Sequence, residues 1–155
     1  MSKRIIIIVA LMLVGGIARV SNVEDALCGQ FPCPPATSQP TNWDILVGAL
    51  IQVESSGDTL AVGKTNDVGA LQLTPIYVAD VNRILGEERY TLEDRRSLKK
   101  TLEMFEVYQK HYNPEHDVDL AIHLHNPKAG DWYRGRVYEQ MNEIRKKYNY
   151  GKDNL

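Results

Sequence analysis

The sequence predicts a mostly α single domain that follows an N-terminal signal segment and a Pro-rich tether. Three observations lead there: apolar residues recur at helical spacing in several stretches, capping or breaking residues bound those stretches, and no long run alternates apolar with polar residues as a half-buried strand would. The 155 residues suit one domain, and the roughly 110 that follow the tether can bury a modest core.

At the N-terminus, Lys3-Arg4 precede the apolar run Ile5–Val14, and Gly15-Gly16-Ile17-Ala18 supplies a small-residue end. This is the pattern of a secretory signal over residues 1–18, with an uncleaved N-terminal anchor as the alternative; the run is shorter than the ~20 apolar residues of a comfortable membrane span. Residues 19–40 read as an extended tether rich in Pro, Ser, Thr and Gln. It holds the two cysteines, Cys28 and Cys33. Export to an oxidising compartment would let them pair as a local disulfide, and zinc is the rival with too few ligands nearby. Loss of Lys3 and Arg4 leaves 16 basic against 20 acidic residues, a net charge of −4. That balance argues against a nucleic-acid partner, and Arg95-Arg96-Lys99-Lys100 reads as a solvated helix face.

The domain, residues 41–150, begins with a helix over Asn42–Ser55. Trp43, Leu46, Val47, Leu50 and Ile51 form its apolar stripe, and Glu54 continues that stripe, three residues after Ile51. A carboxylate leaving the helix on the apolar side and lacking a partner should resist ionisation, which predicts a raised pKa and a proton donor near neutral pH. Thr59–Thr65 reads as a hairpin-like excursion among Gly57, Gly63 and Asn66-Asp67. Thr74-Pro75 opens a second helix closed by Gly86, with Ile76, Ala79, Ile84 and Leu85 inward. Thr91 and Asp94 form a capping box for a long helix burying Leu98, Leu102, Phe105 and Tyr112 and ended by Pro114. Asp117 or Asp119 caps a short segment packing Leu120, Ala121 and Leu124, which His125-Asn126-Pro127 breaks. A last helix, about Trp132–Tyr148, carries Val137, Met141, Ile144 and Tyr148 inward.

Read from Glu54, the chain has Glu54-Ser55, then Ala61 seven positions on, then Gly69-Ala70-Leu71-Gln72-Leu73-Thr74-Pro75 starting fifteen positions on. This resembles the soluble lytic transglycosylase family, relatives of goose-type lysozyme, whose Glu-Ser pair, Ala and Gly-Leu-Met-Gln-Leu-Met-Pro stretch stand at the same offsets. A third family element, Tyr-Asn-Ala-Gly, is similar to His125-Asn126-Pro127-Lys128-Ala129-Gly130, with His in place of Tyr and two residues inserted. A family Tyr in the last helix would match Tyr138. The resemblance covers about residues 41–148 and implies a lysozyme-like fold with a cleft beside the Glu-bearing helix.

It also implies a chemistry. Glycosidic cleavage needs an acid for the leaving oxygen and a second group for the cationic centre. In this family one Glu serves as acid and then as base toward the muramic 6-hydroxyl, which closes a 1,6-anhydro ring on peptidoglycan. Glu54 takes that role by resemblance. Ser55, Gly69, Gln72, His125, Asn126 and Tyr138 are then candidates to shape the cleft or contact glycan. Asp58 and Asp67, in Gly-rich turns, are the nearest candidates for a second carboxylate, as a lysozyme-type hydrolase would require. The remaining alternative is a glycan-binding or assembly protein without turnover. No cofactor or metal is implied: His123 and His125, at i and i+2 on a helix, face apart. The expected protein is an exported monomer acting on peptidoglycan strands, and small members of the family often open the wall for secretion, conjugation or phage machines.

Overall fold

Thr41 starts the first helix of the domain. Its Oγ1 accepts the Asp44 N–H at 3.1 Å while Asp44 Oδ2 accepts the Thr41 N–H at 2.8 Å, a reciprocal capping box. In the computed structural model, which describes residues 39–150, this helix (α1, Asn42–Ser55) ends where Ser56 turns left-handed. The signal-like segment, Cys28 and Cys33 lie outside the described residues. Four further α-helices follow: α2 (Pro75–Leu85), α3 (Leu98–Tyr112), α4 (Val118–His125) and α5 (Asp131–Tyr150). A short 3-10 helix, Leu92–Arg96, precedes α3. Among the described residues extended pairing is limited to isolated bridges, Val62 with Val68 and Val68 with Leu73, so the excursion expected at Thr59–Thr65 is a looped turn.

Helix α1 is the axis of the core. Leu46, Ala49, Leu50 and Ile51 are fully buried, and α5 lies along it with Tyr133, Val137 and Met141. Leu102, Met104 and Phe105 of α3 and Ala121 and Ile122 of α4 complete the cluster. Two buried amides fix the connections. Asn82 donates to the Tyr90 carbonyl at 2.8 Å and accepts the Tyr90 N–H at 2.9 Å, which folds the chain back after α2. Asn113 does the same for Asp117 (2.8 and 2.9 Å), so the start of α4 is set by the end of α3.

Several expected faces turn over. The inward face of α2 is Val78, Val81 and Asn82, and Ile76 is 81% exposed with Ala79 also exposed. Both phases are helical; the helix turns Val78 and Val81 onto the core with Asn82 bonded to Tyr90, keeps Leu85 packed at its edge, and leaves Ile76 and Ala79 to line a cleft. The Thr91–Asp94 box caps the 3-10 helix, and α3 begins anew at Ser97. Tyr112 and Leu120 are partly exposed. Arg95 is not on a solvated face. It is 4% exposed, and its guanidinium donates to the carbonyls of Leu92 (2.8 Å), Asn66 (2.7 Å) and Leu73 (3.1 Å). A buried guanidinium must find several acceptors, and a loop of free carbonyls supplies them.

That loop also explains Gly69. Its φ is +86°, and a Cβ there would sit 1.8 Å from the Arg95 carbonyl oxygen. Gly86, the C-cap of α2, has φ +71° with nothing within 4 Å of an added Cβ. The two positions therefore separate backbone strain from collision. Gly86→Ala should cost about 1 kcal/mol, the conformational penalty alone, and Gly69→Ala at least about 3 kcal/mol. Urea unfolding of the two variants measures the difference; equal losses would contradict the close packing of the loop on Arg95.

Candidate active site

Glu54 reaches the end of α1 on the side where the apolar core opens to a cleft of 1120 Å³. One wall is the Thr65–Pro75 loop, another is the outer face of α2, and the end of α4 with His125–Lys128 forms a third. The volume exceeds the range typical of drug-sized ligand sites, as an extended polymer would need. The Glu54 side chain is 16% exposed. Contrary to the expectation of an unpaired carboxylate, two groups meet its Oε1: the Tyr133 hydroxyl donates to it in a short hydrogen bond, and His125 Nε2 lies 3.4 Å away. The second contact is long for an N–H···O bond, a spacing that catalytic contacts often show before substrate tightens them.

The protonation behaviour follows from these partners. Burial pushes Glu54 up, but His125, first through its hydrogen bond, together with the Tyr133 hydroxyl outweighs it and holds the carboxyl below its ordinary value. The raised pKa expected from the sequence is thus corrected: the apolar stripe supplies the desolvation, and two donors from remote helices reverse its effect. Burial and the adjacent carboxylate push Tyr133 well up, so its hydroxyl stays protonated and donates.

The other expected residues divide into wall and scaffold. Ser55 Oγ donates to the Ala70 carbonyl at 2.9 Å and accepts the Gly57 N–H at 3.2 Å, stitching the loop to the end of α1. The Gly69 N–H donates to the Ala61 carbonyl at 2.9 Å, which gives the Ala61–Gly69 spacing a physical reason. Gln72 lines the cleft in a left-handed conformation (φ +47°), and its Nε2 holds the Gly69 carbonyl at 2.9 Å. His125 and Asn126 line the cleft, and Asn126 caps α4. Tyr138 is engaged with Asp119, whereas Tyr133, earlier in the same helix, meets the acid. Asp58 caps a turn through the Leu60 N–H (2.8 Å), while Asp67 lies in the cleft and accepts the Thr65 hydroxyl on both oxygens (2.9 and 2.8 Å).

Sequence reasoning missed Tyr133 and a second group along the cleft. Tyr77 stacks on Tyr108 with centroids 4.3 Å apart, and Arg83 donates to the Tyr112 hydroxyl (2.6 Å), which donates to Asp80 Oδ2 (3.0 Å). The i, i+3 pair Asp80–Arg83 was a local signal, and the tyrosines join it only through packing of α2 on α3. Flat aromatic faces with forked polar groups suit a ligand that is apolar on its ring faces and hydroxylated at its edges.

The profile of the transglycosylase SLT domain family matches residues 34–155. The chain belongs to that family. Neither the curated proteins nor the solved structures gave a significant match. Membership of the SLT domain family agrees with the mostly helical, lysozyme-like architecture and supports a peptidoglycan-degrading function of the lytic transglycosylase type.

The SLT-type cleft carries a pH prediction. A folded pKa below the ordinary 4.5 means that ionised Glu54 contributes stability above that value, and that the contribution is lost as pH falls through the folded pKa. Tyr133→Phe removes a donor to this charge and should cost about 1.5–3 kcal/mol at pH 7. The loss should shrink as pH falls through the folded pKa of Glu54, below which the acceptor is a neutral acid. Urea unfolding of wild type and variant at pH 7 and pH 3 checks this; an equal loss at both pH values would show that the bond does not depend on the charge.

Proposed function

We propose that this protein is an exported peptidoglycan lytic transglycosylase in which Glu54 acts alone as acid and then as base. The observation that carries the proposal is the single carboxylate at the junction of core and cleft, its Oε1 held by Tyr133 and faced by His125. Glycan filling the cleft excludes water from Glu54, and the desolvation that already opposes ionisation there grows, favouring the protonated acid. The carboxyl then gives its proton to the glycosidic oxygen as the C–O bond to the muramic anomeric carbon breaks. The muramic 6-hydroxyl attacks that carbon from within the same sugar and passes its proton to the Glu54 carboxylate. A 1,6-anhydro end forms and the acid is regenerated without consuming water. An intramolecular nucleophile held in place has an effective concentration that water cannot match. Its substrate lies outside the cytoplasm, in keeping with the signal-like residues 1–18, and the apolar run there also suits a membrane tether.

Asp67 supports a second reading. It lies in the same cleft as Glu54 and would be the second carboxylate of a lysozyme-type hydrolase. Mass spectrometry of peptidoglycan digested by the purified protein separates the two. The transglycosylase yields non-reducing 1,6-anhydro muropeptides, lighter by one water than hydrolysis products, and Asp67→Asn leaves them as the main product. Reducing-end products, lost in Asp67→Asn, would establish the hydrolase.

Glu54→Gln keeps the shape of the side chain and removes the exchangeable proton. It should fold and bind glycan, giving up at pH 7 the stability that the charge contributes, while turnover drops by at least about 100-fold. Turbidity clearing of a peptidoglycan suspension measures this. Clearing near the wild-type rate would remove Glu54 from the chemistry, and negligible clearing by both proteins would favour a glycan-binding role.

A further inference from the structure

The His125 side chain is 4% exposed, with Nε2 3.4 Å from Glu54 Oε1, and its other ring nitrogen, Nδ1, is buried without a hydrogen-bond partner. Against the ring stand Glu54 of α1, whose Oε1 also takes the Tyr133 hydroxyl of α5, and the Phe105 ring of α3 at 6.0 Å, edge-on. Asp67, Lys128 and the mutually paired Asp80 and Arg83 are the other charged groups lining the cleft.

These positions constrain where protons sit. A neutral imidazole carries one N–H, and a lone pair on Nε2 would repel the lone pairs of Oε1, so the hydrogen belongs on Nε2. A second proton would occupy Nδ1 and create a buried, charged donor with no acceptor, the costliest kind of unmade hydrogen bond. On the carboxylate, the Tyr133 hydroxyl and His125 Nε2 both address Oε1. Oε2 takes a hydrogen bond from neither of them.

We propose that His125 is a positioning residue that, as its Nε2–H tautomer, holds Oε1 together with Tyr133 and so directs the exchangeable proton of Glu54 to Oε2, the oxygen left for the glycan. The proposal rests on the reading of Glu54 as acid and base. In the first half-reaction the Oε2–H bond breaks as the proton bonds to the glycosidic oxygen; in the second, Oε2 takes the proton of the 6-hydroxyl. His125 keeps its own proton throughout. Its N–H strengthens toward Oε1 while Glu54 is charged and weakens when Glu54 is protonated, which lowers the energy of the charged intermediate. A tyrosine at this position, as in the family pattern, would offer a donor of the same neutral kind.

Nitrogen NMR of histidine-labelled full-length protein tests the tautomer directly. The expected spectrum for His125 shows a protonated Nε2 and a bare Nδ1 through neutral pH. A ring carrying two protons at neutral pH, or the opposite tautomer, would overturn the proposal. A carbon NMR titration of the Glu54 carboxyl in His125→Phe and His125→Gln tests the consequence. Without a donor, His125→Phe should move the midpoint to higher pH by about one pH unit, with the alkaline limb of any activity profile following it. The amide N–H of His125→Gln replaces the donor without being able to take a second proton, so that midpoint should stay close to wild type. A midpoint in His125→Gln as high as in His125→Phe would show that charge on the ring, not its donor, acts on Glu54, and would sink the idea. If His125→Phe does not fold, the wild-type spectrum and the Gln variant still decide. None of the NMR readouts requires turnover, so an inactive wild-type protein would overturn the proposed function and leave the placement of His125 standing.

Discussion

A carboxylate at the edge of an apolar core has to be paired, and the pairing of Glu54 ties together three helices distant in sequence. Tyr133 comes from 79 residues downstream on α5, and His125 from the end of α4. The Tyr133 contact requires α5 to lie along α1, the most extensive helix pair among the described residues, and that packing is driven by the buried Leu46, Leu50, Val137 and Met141. Hydrophobic burial thus sets the distance at which the Tyr133 hydroxyl meets the acid. A slip of one residue between α1 and α5 would rotate Tyr133 by about 100° around its helix and take its hydroxyl away from Oε1.

The cleft wall rests on a second constraint, the burial of Arg95. Its guanidinium satisfies carbonyls on both sides of the Gly69 turn, and the turn in turn rests on the Arg95 carbonyl so closely that only a residue without Cβ fits. Ser55 and Gln72 add side-chain bonds to the same loop. Residues that the sequence pattern suggests as ligand contacts are therefore, in large part, devices that hold an irregular backbone still. A loop with this many carbonyls needs such devices, because each unpaired one beside the core would cost free energy comparable to a lost hydrogen bond. The resulting rigidity keeps the wall opposite the acid in place without a regular sheet.

In the cleft that holds Glu54, exposed Ile76 and the stacked Tyr77 and Tyr108 form an apolar strip, with Asp80 and Arg83 also in the lining. The composition matches a sugar chain, whose ring faces are apolar and whose edges carry hydroxyls. Burying such a strip against glycan would supply binding energy that can be used to exclude water and orient the reacting sugar.

The sequence by itself determined the local features. Helical spacing located α1 and put Glu54 on its apolar side, Thr74-Pro75 and Gly86 bounded α2, and the offsets from Glu54 to Gln72 placed the acid and the loop in one unit. These are short-range properties, set by helix period, capping and turn chemistry, and a chain of any tertiary arrangement would display them. Only the tertiary structure decided what Glu54 touches. The choice of Tyr133 over Tyr138, the burial of Arg95 within a run of basic residues, and the outward turn of Ile76 depend on which helix face meets which neighbour. In α2 two helical faces carried apolar residues and the sequence pattern did not choose between them. The ionisation of Glu54 shows the division most plainly. Local sequence supplied the desolvation that raises its pKa, and donors brought in by long-range packing lowered it again, because hydrogen bonds and charges act over a few ångströms of space whatever their separation along the chain.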